Sequence, residues 1–170
     1  PVPVDLDIYI DSSGSMPNPQ QRLSYPALAG TVLVLSALRA GARVQATLWS
    51  GAQQFQTTDG FTEDRDAILR VVLGHIGGGT AFPLHVLRET YRQRRDVDRP
   101  AHILVVSDDG VTTIFNDDEE GTPGREVQAE ALRRARGGGT WVLELFGTPS
   151  GIEEARDMGW TIEEVDDLEG

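Results

Sequence analysis

Apolar and polar positions fall into two kinds of block along this chain. Short runs rich in β-branched and aromatic residues, Val4 to Ile10, Val44 to Ser50, Ala101 to Val106, Trp141 to Phe146 and Trp160 to Val165, predict strands. Between them lie longer segments with helical spacing: Leu23 to Ala40, Glu63 to Leu73, Phe82 to Arg95, Arg125 to Arg136 and Ile152 to Met158. Ile68, Leu69 and Val72 share one face of the second helix, and Leu84, Leu87 and Tyr91 one face of the third. Gly41 is placed to stop the first helix, Thr62 or Asp64 to cap the second, and Gly137-Gly138-Gly139 to end the fourth. Gln53 to Thr57 follows Val44 to Ser50 across Ser50-Gly51-Ala52, close enough for the two to pair as an antiparallel hairpin. Asp109 to Gly124 reads as a loop.

Strands alternating with helices predict an α/β fold: a doubly wound, mostly parallel six-stranded sheet with one antiparallel edge strand and helices on both faces. Ala101 to Val106 is nearly all apolar, as a strand covered on both faces must be. The uncharged stretch Leu23 to Leu38 has 16 residues, too few to span a bilayer, and its apolar residues on nearly every face predict a helix buried against the sheet. At 170 residues the chain suits one domain, residues 1–170, and its start at Pro1 leads us to expect a fragment of a longer protein.

Composition narrows the chemistry. There is no cysteine, which removes disulfides, zinc–thiolate sites and thiol catalysis, and there is no lysine, which removes lysine catalysis. A net charge of −12 disfavours nucleic acid and anionic membrane as partners and favours protein. Arg92, Arg94, Arg95 and Arg99 cluster near the end of the third helix and read as a solvated group complementing its dipole.

The densest chemistry lies at Asp11-Ser12-Ser13-Gly14-Ser15, where the first strand ends in a carboxylate and the chain bends at once. Asp11 supplies charge, Ser13 and Ser15 supply neutral oxygens, and Gly14 permits a turn aiming both hydroxyls at one point. Thr80 follows Gly77-Gly78-Gly79, and Asp108 follows the strand Ile103 to Val106. Asp11 and Asp108 both stand at carboxyl ends of strands, the edge where ligands of open α/β sheets bind. All of these donors are oxygens, which suits a hard cation.

This set resembles the metal-ion-dependent adhesion site of von Willebrand factor A domains: Asp-x-Ser-x-Ser, a distant Thr, and an Asp after a later strand. Asp11, Ser13, Ser15, Thr80 and Asp108 match it position by position. The resemblance implies a site for Mg2+ (or Mn2+ or Ca2+) in which the hydroxyls touch the ion and the two aspartates act largely through water. It implies an open position that takes an Asp or Glu from a partner protein, so the product is binding and not catalysis. Ser107-Asp108-Asp109-Gly110 carries one acid more than the usual tail, which raises Asp109 as a competitor of Asp108. The segments Asp11 to Pro19, Leu38 to Ser50 and Gly77 to His85 further resemble the bacterial branch whose members act with MoxR-type AAA+ ATPases, which implies a cytoplasmic adaptor.

A second reading is a magnesium-dependent phosphohydrolase of haloacid-dehalogenase type, with Asp11 as nucleophile. Such enzymes place another Asp two residues on, where this chain has Ser13. His75 and His85 flank the triglycine loop five residues from Thr80 and read as surface or helix-end residues, so no general base is placed at the site. The acidic loop Asp117 to Glu120 follows the Asp108 strand onto the same edge, where it is expected to meet basic residues of the partner.

Overall fold

A computed structural model describes residues 3–12, 25–95, 98–147 and 149–165 of the chain. Six strands, β1 (Asp5–Asp11), β2 (Val44–Trp49), β3 (Phe55–Thr57), β4 (Ala101–Ser107), β5 (Arg136–Leu143) and β6 (Trp160–Glu164), form one sheet in the order β3-β2-β1-β4-β5-β6. Every pairing is parallel except that of the edge strand β3 with β2. The order reverses between β1 and β4, so the crevice at their carboxyl ends is the switch point of a doubly wound sheet.

Each face of the sheet has its own core. Leu6, Ile8 and Ile10 of β1 join Val44, Ala46 and Leu48 of β2 beneath α1 (Tyr25–Arg39) and α2 (Arg65–Val72). On the other face Tyr9, Trp49, Ile103, Val105 and Trp141 pack under α3 (Leu84–Gln93), α4 (Gly124–Ala135) and α5 (Ile152–Met158). Asp64 caps α2 by accepting from the Ala67 N–H at 3.2 Å, which decides between it and Thr62.

Four expectations are corrected. Helix α1 is not buried all round: Val34 is fully buried, but Leu28, Val32 and Leu33 are 45%, 52% and 40% exposed. Covering by one sheet face accounts for a single stripe of a helix, and apolar residues beyond that stripe stay in solvent. Residues Asp109–Phe115 form a 3-10 helix where a loop was expected, with the Asp108 carboxylate accepting from the Gly110 N–H at its start.

The glycines 137–139 lie within β5, which starts at Arg136 rather than at Trp141. Their role is close approach. A Cβ on Gly137 would stand 2.4 Å from the Ala101 carbonyl oxygen, and one on Gly139 would stand 2.5 Å from the Trp160 ring. The stop of α4 falls to Arg136 itself, in the left-handed region at φ 63°, whose N–H bonds the Leu132 carbonyl.

The arginines after α3 are not simply solvated. Arg94, with a side chain 9% exposed, lies 3.5 Å from the fully buried Asp5 carboxylate, which Arg43 at 3.0 Å and Arg99 at 3.4 Å also hold. Arg92 pairs with Glu89 and Glu120.

Candidate functional site

Asp11 ends β1 and Asp108 follows β4, so parallel pairing of these two strands brings both carboxylates to one edge. Both residues are 3% exposed. Ser107 Oγ donates to Asp11 Oδ2 at 2.7 Å, tying the end of β4 to the end of β1. The third described member of the set, Thr80, arrives from the triglycine loop. A Cβ built on Gly110 would lie 2.6 Å from Thr80 Cγ2, 3.1 Å from Asp108 Oδ1 and 3.6 Å from Asp11 Oδ2, so three side chains from separate segments surround one point. Ser13 and Ser15 lie outside the described residues.

The triglycine loop is positioned by serines to which the sequence reading assigned no role. Ser12, between Asp11 and Ser13, accepts the Ile76 N–H on its hydroxyl at 2.9 Å and the Gly77 N–H on its carbonyl at 2.8 Å. Ser50, just past β2, donates its hydroxyl to the carbonyls of Gly77 and Gly79 and accepts the Ala81 N–H at 2.7 Å. Gly77 and Gly78 stand at φ 73° and 96°, a region that favours glycine, so the run is needed to bring Thr80 back toward the sheet edge. A Ser beside a strand-end Asp is the one signal in the sequence that pointed to Ser12.

Asp109 turns away from this point. Its Oδ1 accepts the Phe146 N–H at 3.1 Å, fastening the 3-10 helix to the segment after β5. Asp108, not Asp109, therefore stands with Asp11 and Thr80. His75 reaches Ser12 Oγ at 3.4 Å, and His85 packs edge-on against Phe55 with ring centroids 4.8 Å apart, so neither is a solvated bystander.

The chemistry of the described donors is that of a hard-cation site. Among the described residues no group of three or more His, Cys, Asp or Glu side chains could hold a metal, so a cation at this edge would rest on two carboxylates and hydroxyls. That donor set fits magnesium, which favours oxygen and retains water.

The acidic loop is partly paired within the chain, contrary to expectation. Arg88 of α3 donates to Asp118 at 2.7 Å and to Glu119 at 2.6 Å, and Arg92 reaches Glu120 at 3.2 Å. Burial disfavours the Asp118 charge, but the Thr122 N–H, Arg88 and the Glu120 N–H outweigh it and hold this carboxyl below its ordinary range.

No family model matches the chain, and no curated protein matches it in sequence. Solved structures do share its architecture. The pilus adhesin SpaC from Lactobacillus rhamnosus GG is similar over 98% of this chain and 28% of its own, at 15% identity and a TM-score of 0.61. The conserved hypothetical protein BatB from Bacteroides thetaiotaomicron is similar over 96% of this chain and 91% of its own, at 15% identity and 0.56. The vWF domain of the pili tip protein Mfa5 from Porphyromonas gingivalis is similar over 62% of this chain and 37% of its own, at 21% identity and 0.49. With the strand order and the antiparallel β3 edge also in place, the fold can be stated. It is a doubly wound α/β fold with one antiparallel edge strand, as in SpaC and BatB. Among the described residues no helix is long and apolar enough to cross a membrane.

Proposed function

We propose that this domain binds a divalent cation, magnesium before manganese or calcium, through Asp11, Ser13, Ser15, Thr80 and Asp108, and through that ion captures an Asp or Glu of a protein partner. The observation that carries the reading is the convergence of Asp11, Asp108 and Thr80 on the space beside Gly110 at the switch point of the sheet. The part assigned to Ser13 and Ser15 rests on the Asp-x-Ser-x-Ser spacing. Ser107 orients Asp11, and the Gly110 N–H orients Asp108, so both carboxylates are set before any ligand arrives. Two carboxylates held largely through water would leave a bound ion electrophilic toward a third. No bond is broken, and the domain acts as an interaction module and not as an enzyme.

In the narrower form of this proposal the partner is a MoxR-type AAA+ ATPase and the setting is the cytoplasm. The likeness to SpaC favours a second setting, in which the same metal-bridged contact serves adhesion at a cell surface.

Titration calorimetry with MgCl2 tests the core of the reading. Wild type is expected to bind one ion, and Asp11→Ala to bind none while keeping its fold. An unchanged isotherm in the variant overturns the site. Magnesium-dependent turnover of a generic phosphomonoester, lost in the same variant, would favour the phosphohydrolase reading instead. Co-purification with a MoxR-type ATPase that survives excess chelator would remove the metal bridge.

A further inference from the structure

A groove of about 560 Å³ opens beside the candidate metal edge, reached directly from Thr80 because the next residue, Ala81, lines it. Its floor is apolar and aromatic, formed by Phe55, Phe82 and Leu84. Its rim is acidic: Asp117 and Glu119 are exposed there, and the Asp118 side chain lies buried behind them against Arg88. Among the described residues no Arg lines it, and His85 is the one lining side chain able to carry positive charge. Behind the rim Arg88 is shared among Asp118, Glu119, Glu120 and Glu89, and Arg92 between Glu120 and Glu89. Among the described residues Asp117 has no ion-pair partner. Negative charge therefore exceeds positive charge at this rim even after the internal pairs are counted.

An acidic rim over an aromatic floor suits a side chain with an apolar stem and a cationic head. Phe55 and Phe82 offer ring surface to the stem and to a planar guanidinium, and Asp117 and Glu119 offer oxygens to the head. We propose that this groove is the subsite for a basic side chain, arginine in the first place, of the partner protein. The inference rests on the metal-bridged reading above and extends it. The partner would present a carboxylate and an arginine within a few residues of each other, since extended chain advances about 3.3 Å per residue and the groove adjoins Thr80.

Two single-residue probes separate this inference from the reading on which it rests. N-acetyl-arginine methylamide carries no carboxylate, and N-acetyl-aspartate methylamide carries no cation. Amide chemical shifts of 15N-labelled protein are followed at Ala52, Phe55, Leu84 and His85 for the groove and at Thr80 and Gly110 for the metal edge. The arginine probe is expected to move the groove amides saturably with or without MgCl2. Its uncharged isostere, N-acetyl-citrulline methylamide, is expected to bind at least about ten-fold more weakly, as loss of a charge-assisted contact requires. Asp117→Asn with Glu119→Gln should weaken the arginine probe to a similar extent.

Equal shifts from the arginine and citrulline probes, or shifts scattered over the acidic surface and absent from the groove, overturn the proposal; this comparison needs no variant. The aspartate probe should move Thr80 and Gly110 only when magnesium is present. Its failure, with the arginine response intact, would sink the metal reading and leave a cation-binding groove.

Discussion

Ser107 Oγ lies 2.7 Å from Asp11 Oδ2 and is the donor that holds the first-strand carboxylate from the neighbouring strand. The pair is buried, joins residues at the ends of β1 and β4, and spans the point where the sheet reverses its order. The sheet's own pairing thus supplies one of the contacts that orient Asp11.

Removing that donor should loosen the site more than the fold. Ser107→Ala is expected to cost about 1 kcal/mol of stability, the usual net worth of one hydrogen bond. Magnesium affinity should fall by about ten-fold or more, as when an outer partner of a metal-site residue is lost. Urea melts in chelator and calorimetry with MgCl2 measure the two effects separately. A fall in stability with unchanged affinity would make Ser107 a purely structural residue.

Asp7 is a fully buried carboxylate in a central strand, accepting from Tyr9 and Tyr91 at 2.9 Å each and from Gln45 at 3.1 Å. Burial raises its pKa to about 6, against the lowering effect of these hydrogen bonds. Between the ordinary carboxylate value and about 6 the folded state then holds a proton that the unfolded state has released. Stability should therefore rise as pH falls from above 6 toward 4, by an amount on the order of 3 kcal/mol. Glu130, whose carboxyl Arg133 and Arg134 hold low, and Glu119 and Asp118, also held low, oppose this as pH falls through the ordinary carboxylate range, so the rise is cleanest above about pH 5. Asp7→Asn should remove the rise between pH 6 and 4 in chemical denaturation. An unchanged slope in the variant would assign the effect elsewhere.

The sequence made the sheet legible because alternating strand and helix periods survive whatever the side chains touch. It singled out Asp11, Thr80 and Asp108, which the fold brings together, because each sits at a strand end or after a glycine loop. The partners of charge were not legible. Asp5 reads as a break in an apolar run, and only folding brings Arg43, Arg94 and Arg99 to it from far along the chain. The Asp117 to Glu120 loop looked free for the same reason: Arg88 and Arg92 meet it only through the packing of α3. The second triglycine looked like a helix stop because close approach to Ala101 and Trp160 leaves no mark in local sequence.

Helix α1 offers a matched pair of substitutions. Val34 is fully buried and Val32 is 52% exposed, two residues apart on a helix whose one charged residue is Arg39. Val34→Asp would bury a charge without a partner and should prevent cooperative folding. Val32→Asp should cost less than about 1 kcal/mol, as exposed substitutions do. Far-UV circular dichroism with urea titration distinguishes them. Loss of folding in both would mean that the exposed face is covered within the native protein.

Gly110 provides the sharpest test of the site, since its backbone needs no special conformation and only the space beside it is at stake. A methyl group there would stand 2.6 Å from Thr80 Cγ2 and 3.1 Å from Asp108 Oδ1. The first distance is too short to persist and the second is tight, so Thr80 must swing away and Asp108 must give by a few tenths of an ångström while the strands stay. The global fold has little to lose, because the displaced groups lie at the sheet edge and not in either apolar core. The proposed binding point has much to lose, because moving the Thr80 and Asp108 side chains would undo the arrangement that the proposed ion requires. Gly110→Ala is therefore expected to keep its melting temperature in chelator to within about 4 °C, the equivalent of about 1 kcal/mol for a domain of this size. The magnesium response of wild type, about 1.4 kcal/mol at ten times Kd, should disappear from the variant. A variant that melts as wild type does in chelator and gains the same stability from magnesium would show that the cation, if bound, sits away from the point where Asp11, Thr80 and Asp108 meet.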